Sequence, residues 1–180
     1  MTLQQHFEDA CRTPSDINGH VAAMSALVVE LDAKVVIELG TRTGVSTFGW
    51  LHGLYQTGGH LWSVDIDAKP PIGDFDRWTF MQGDDCDPEL FASLPVADIV
   101  FIDTSHAYLH TLQELNLYRW LVRPGGRIVC HDTELAHPED ATPWPAFPVK
   151  KAINEFCAAE SLSWHNFPHC NGLGIIEIGD

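Results

Sequence analysis

A short apolar run that ends in a glycine turn constrains this chain more than any other feature. Val35-Val36-Ile37-Glu38-Leu39 is β-branched and apolar around one acid, and Gly40-Thr41-Arg42-Thr43-Gly44 follows before Val45 and Ser46. Such a run suits a strand buried on both faces of a parallel sheet. Gly40 and Gly44 let the backbone turn sharply and come close to a ligand. A helix starting near Gly44-Val45-Ser46 leaves its first N–H groups without partners inside the helix. The prediction is a strand, a glycine turn and a helix with a nucleotide-type ligand at their junction. The spacing, G-x-x-x-G, departs from the G-x-G-x-x-G of dinucleotide enzymes.

The same alternation continues along the chain. Strands are predicted at 61–66, 78–81, 99–102 and 127–130, with turns at Gly58-Gly59 and Pro124-Gly125-Gly126. Two closing strands, 163–167 and 174–178, flank an Asn171-Gly172 turn and read as an antiparallel hairpin. A helix is expected over 149–156, and residues 1–32 read as an N-terminal helical segment in which Thr13-Pro14-Ser15-Asp16 starts a helix over 17–31. Residues 133–148, rich in Pro, His and acid and carrying Trp144 and Phe147, read as a long loop and a candidate active-site lid. The predicted fold is α/β: a Rossmann-like, doubly wound, mostly parallel seven-stranded sheet with helices on both faces and a C-terminal antiparallel hairpin. At 180 residues the chain suits a single domain, burying roughly 70% of its unfolded surface.

Charge narrows the partners. Ten Lys+Arg against 25 Asp+Glu leave a net charge of −15, which repels a phosphate backbone and gives anionic lipid little hold. Neither nucleic acid nor membrane is expected as a partner. The first residues lack a basic and apolar leader pattern, so the cytoplasm is the expected compartment. The five cysteines are odd in number and form no C-x-x-C pair, which points to free thiols. A homo-oligomer stays open.

In an open parallel sheet, ligands bind outside the carboxyl ends of the strands. Distinctive residues follow each predicted strand here: Gly40, then Asp65 and Asp67, then Gly83-Asp84-Asp85, then Asp103, Ser105 and His106, then His131 and Asp132. Asp65 stands where a carboxylate accepts both ribose hydroxyls. Asp84 or Asp85 could accept the exocyclic amine of adenine, although an acid ahead of Pro88-Glu89-Leu90 also reads as a helix cap. His106 and His110 are four apart at a predicted helix start, a spacing that suits metal. His110 also reads as an ordinary surface residue, and His106 as a general base for a hydroxyl or as a loop-holding group.

Ile102-Asp103-Thr104-Ser105-His106-Ala107-Tyr108, with Leu121-Val122-Arg123-Pro124-Gly125-Gly126, His131-Asp132-Thr133 and Asn171-Gly172-Leu173-Gly174, resembles class I S-adenosylmethionine (SAM) dependent methyltransferases. The likeness is to small bacterial and phage members that read D-G-D-H-S-Y here, and to the rhamnosyl O-methyltransferase and cephalosporin hydroxylase-like group. It spans most of the chain. It implies that Glu38 helps hold the glycine loop and the amino acid end of SAM. Gly40, Thr41, Gly44 and Ser46 would lie around that end, and Asp65, Asp67, Asp84, Asp85 and Asp103 complete the cofactor set. It also implies a divalent metal on Asp103, His131 and Asp132. Relatives usually carry an acid where His131 stands, so Mn²⁺, Fe²⁺ or no metal compete with Mg²⁺. The expected activity is O-methylation of a small-molecule or sugar hydroxyl, with His106 and Asp103 catalytic. The alternatives are a SAM-binding protein without turnover and an NAD-type oxidoreductase.

Overall fold

The computed structural model of the protein describes residues 1–136 and 146–179. Each apolar run becomes a strand, β1 (Val35–Leu39), β2 (His60–Asp65), β3 (Trp78–Gln82), β4 (Ala97–Ile102), β5 (Val122–His131), β6 (Trp164–Phe167) and β7 (Leu173–Glu177). They form one sheet in the order β3-β2-β1-β4-β5-β7-β6. The first five are parallel, and β7 runs antiparallel between β5 and β6. The predicted doubly wound sheet and closing hairpin are both present.

Side-chain alternation explains why these strands are apolar without a polar face. Ile37, Leu39, Val100, Ile102, Ile128 and Cys130 point to one side, against α5 (Tyr108–Tyr118) and α6 (Pro148–Glu160). Val36, Ile99, Phe101 and Val129 point to the other, against α2 (Val21–Glu30) and α3 (Val45–Thr57). Each buried aliphatic contributes about 1.5–3 kcal/mol relative to exposure, so a polar residue on either face needs partners. Glu38 is such a residue.

Two elements differ from their sequence reading. The N-terminal helical segment divides into α1 (Leu3–Arg12), a 3-10 turn (Asn18–His20) and α2. Thr2 and Gln5 close α1 with a capping box, and the Ser15 hydroxyl accepts the Asn18 N–H at 3.0 Å, so the second helix starts at Val21. Pro124-Gly125-Gly126, read as a turn, lies inside β5 as a bulge, where the register with β4 shifts between Ala97 and Ile99. Of the predicted lid over 133–148, residues 137–145, including Trp144, lie outside the described residues. Among the described residues no helix is long and apolar enough to cross a membrane.

Asp98 fastens the start of the sheet. Its carboxylate accepts the N–H groups of Lys34 (2.7 Å) and Val35 (2.8 Å) and pairs with Arg123. Burial opposes its charge, but Arg123 and the two N–H donors outweigh this and hold the carboxyl below its ordinary value. Asp98→Ala leaves the N–H groups of Lys34 and Val35, at the start of β1, without acceptors, and each orphan shielded from water costs about 1–3 kcal/mol. We expect urea unfolding to show a loss of roughly 2–4 kcal/mol, and an unchanged midpoint would contradict this role.

Candidate active site

The loop after β1 is held from below and from the side. Gly40 and Gly44 take φ of +85° and +84°. A Cβ on Gly40 would stand 2.0 Å from the Asp103 carbonyl oxygen, so only glycine lets the β1 and β4 ends approach this closely. From the side, Asp65 Oδ2 accepts the N–H groups of Thr41 (2.7 Å) and Arg42 (2.9 Å), and Oδ1 accepts that of Asp67 (2.9 Å). Three of its roughly four acceptor positions are thereby used.

From below, Glu38 is fully buried and accepts the hydroxyls of Ser46 (2.6 Å), Thr47 (2.9 Å) and Ser63 (2.6 Å). Trp78 Nε1 donates to Ser63 at 2.9 Å and so orients that hydroxyl toward Glu38. Ser46 and Thr47 are in the first turn of α3, so this acid ties β1, β2 and the helix start into one unit. Burial pushes the Glu38 carboxyl up to about 7 from an ordinary 4.5, against the pull of its three hydroxyl donors.

A crevice of about 400 Å³ opens above the strand ends. Gly40, Thr41 and Arg42 line one side, Asp65 and Asp67 the next, then Gly83, Asp84 and Asp85, and Asp103 to His106 complete the wall. Asp87 caps α4 (Pro88–Ser93) through the N–H groups of Glu89 and Leu90, which leaves Asp84 and Asp85 to face the crevice.

Beside Asp103 the ends of β4 and β5 bring together two carboxylates and two imidazoles. His106 Nδ1 lies 3.0 Å from Asp132 Oδ2, and His106 Nε2 lies 3.8 Å from Asp103 Oδ1. His131 Nδ1 lies 3.2 Å from Asp132 Oδ2 and 3.4 Å from Asp103 Oδ1, while its Nε2 meets the Cys170 carbonyl at 3.0 Å. The Asp132 carboxylate 3.0 Å away raises the His106 imidazole above its ordinary value. Burial opposes charge on His131, yet Asp103 and Asp132 push it up to about 10. Burial likewise opposes charge on Asp132, and the two imidazoles override it and hold the carboxyl low. His106 (φ 57°) and Asp132 (φ 60°) both adopt the left-handed backbone, a cost of about 1–3 kcal/mol each that tends to collect at working sites.

This donor set fits a divalent cation. Ligand atoms of Asp103, His106 and Asp132 lie within 4.8 Å of one another, and the buried Asp132 Oδ1 has no hydrogen-bond partner. Mixed nitrogen and oxygen donors suit Mn²⁺, Fe²⁺ or Zn²⁺ better than Mg²⁺, which prefers oxygen.

A family model described as a methyltransferase domain matches residues 37–133, more than half of the chain. The chain belongs to the methyltransferase domain family. Solved structures agree on the fold. SAH-bound methyltransferase PaMTH1 of Podospora anserina is 17% identical with a TM-score of 0.67, covering 99% of this chain and 88% of that one. A candidate O-methyltransferase from Klebsiella pneumoniae is 19% identical with a TM-score of 0.72, covering 99% and 90%. The MycE methyltransferase of the mycinamycin pathway, in complex with Mg, SAH and mycinamycin VI, is 18% identical with a TM-score of 0.72, covering 98% of this chain and 53% of that one. No curated protein matches the chain.

In this methyltransferase domain the predicted residues divide into two sets. Gly40, Thr41, Asp65, Asp67, Asp84, Asp85, Asp103 and His106 line the crevice. Glu38 and Ser46 lie beneath it, bonded to each other, and Gly44 caps α3 behind it. His131 and Asp132 are buried under Asp103 and His106. His106 precedes α5, so it shares no helix face with His110. His110 is not a free surface residue, because its ring meets Asp85 and Glu114. Sequence reading missed Glu114, a buried acid that only the fold brings to this place.

Two measurements check the loop. Gly40→Ala meets both the left-handed backbone and the Asp103 carbonyl, so it should destabilise by more than about 2 kcal/mol. Gly58→Ala, also at positive φ but with nothing within 4 Å, should cost less, and equal losses in urea unfolding would remove the close-approach argument. For Glu38, an acid raised from 4.5 to about 7 favours the fold below pH 4.5 and loses that contribution as pH rises to 7. Wild type should therefore lose roughly 3 kcal/mol relative to Glu38→Gln across that window, and parallel stability–pH curves would refute it.

Proposed function

We propose that this protein is a SAM-dependent methyltransferase acting on a hydroxyl of a small molecule or sugar. The observation that carries the reading is the convergence of Asp103 and His106, over the buried Asp132, on the wall of a crevice whose other walls are Gly40, Asp65 and Asp84. SAM supplies an electrophilic methyl on a sulfonium, and a divalent cation, when bound, supplies charge that lowers the cost of deprotonating a hydroxyl. The chain's part is chiefly alignment, because in-line displacement needs placement more than covalent help.

The β1 loop, held by Asp65 and Glu38, presents the Thr41 and Arg42 backbone to the amino acid end of the cofactor. Asp65 keeps one acceptor position for the ribose, and Asp84 or Asp85 faces the adenine. Asp103 and Asp132, with a nitrogen from His106 or His131, would hold the cation. The 3.0 Å contact between Asp132 and His106 Nδ1 supports a second role, since it leaves Nε2 as the atom turned to take the acceptor's proton. The resemblance to O-methyltransferase structures supports the choice of oxygen over nitrogen as acceptor, as does the absence of an N-P-P-Y or D-P-P-Y tetrapeptide from the sequence.

Calorimetric titration of the purified chain tests the cofactor first. SAM and S-adenosylhomocysteine should bind and NAD should not, and Asp65→Ala should weaken SAM at least about tenfold, or 1.4 kcal/mol. Binding of NAD alone would replace the reading with an oxidoreductase. SAM binding without methyl transfer to any hydroxylated acceptor, with or without added Mn²⁺ or Mg²⁺, would leave a SAM-binding protein. Where transfer occurs, loss on chelation and recovery with metal, with more metal needed for recovery in His106→Ala, makes His106 a ligand. Activity that survives chelation but falls at least about a hundredfold in His106→Ala makes it the base.

A further inference from the structure

A second group of metal-binding side chains lies at the same crevice wall, and the proposed methyl transfer draws on it only where Asp85, as the alternative to Asp84, faces the adenine. Asp85 and Cys86 follow β3. His110 sits in the first turn of α5, and Glu114 one turn further on. His110 Nε2 is 3.3 Å from Asp85 Oδ1 and 3.5 Å from Glu114 Oε1. Ligand atoms of Asp85, Cys86 and His110 lie within 4.8 Å of one another.

The buried acid points to an absent partner. Glu114 is 0% exposed, and its Oε2 has no hydrogen-bond partner, nor has Asp85 Oδ1. Thr104 donates to Glu114 Oε1 at 2.7 Å and fixes the carboxylate's orientation, while the Tyr118 hydroxyl donates to the Asp85 carbonyl at 2.7 Å and pins the β3–α4 loop. Among the described residues, His110 is the only basic side chain within ion-pair distance of either acid. Two carboxylates that share one imidazole, each with an orphaned oxygen, need a proton or a cation between them, and Cys86 beside them adds the donor that favours a metal ion.

We propose that Asp85, Cys86, His110 and Glu114 form a second divalent-metal site, of the zinc class, that ties the β3–α4 loop to α5 at the crevice wall. One sulfur, one imidazole nitrogen and two carboxylate oxygens make a four-ligand set for a borderline-soft, tetrahedral ion, unlike the nitrogen–oxygen set at Asp103. Cys86 Sγ, His110 Nε2 and one oxygen from each acid donate lone pairs, the thiol proton leaves to solvent, and no electron is transferred. Thr104 and Tyr118 serve as the outer partners that orient the ligands.

The test reads the metal itself and does not depend on methyl transfer. Titrating the full chain with Co²⁺ should give a thiolate-to-cobalt charge-transfer band at one equivalent, and Zn²⁺ should bleach it. The band should disappear in Cys86→Ser, require at least tenfold more Co²⁺ in His110→Ala, and persist in Asp103→Asn. On the unaltered protein, Zn²⁺ should protect Cys86 from N-ethylmaleimide, as read by peptide mass spectrometry, and leave Cys11 and Cys170 as reactive as before. No band in the wild type, a band that survives Cys86→Ser, unchanged affinity in His110→Ala, loss of the band in Asp103→Asn, or no protection of Cys86 would each overturn the site.

Discussion

The closeness of Gly40 to the carbonyl of Asp103 governs the rest of the site. It sets two loops from adjacent parallel strands against each other with no side chain between them. Every group on the crevice wall is placed relative to that contact. The β1 loop gains its curvature there, and Asp103 gains its position beside His106 and Asp132. A parallel sheet supplies the neighbouring strand ends, but only a residue without Cβ lets them meet at this distance.

Interior acids do much of the fastening in this strongly acidic chain. Asp98 takes two N–H groups where β1 begins, Asp65 takes three around the crevice loop, and Glu38 takes three hydroxyls at the root of α3. A carboxylate that accepts several donors at fixed angles orders a loop more firmly than a surface ion pair, which is worth at most about 1 kcal/mol. The same residue type thus frames the crevice and lines it. Asp65 does both, which makes its dual use a matter of free acceptor positions.

The strands were legible because their burial is two-sided, and for that reason 99–102 reads as an uninterrupted apolar run and 35–39 as one broken only by Glu38. The glycine loop and the acids at the strand ends were legible because topology sends every carboxyl end to one side. α1 was less visible, since it is short and mostly polar, with Ala10 its one buried residue. The bulge in β5 was hidden because Pro-Gly-Gly has the composition of a turn. At the site, the burial of Glu38 and Ser46 beneath the loop depends on which face of β1 Glu38 takes and which face of α3 Ser46 takes. Glu114 and its neighbours meet only after α5 packs beside the β3 end, so no spacing along the chain announces them.

The acidity of the crevice also bears on turnover. A cofactor that arrives as a sulfonium and leaves as a thioether gives up one positive charge in the reaction. Walls bearing Asp65, Asp67, Asp84, Asp85 and Asp103 attract the first form more than the second. Spent cofactor would thus lose part of its hold at the moment the methyl departs, and the same acids would favour fresh cofactor in its place.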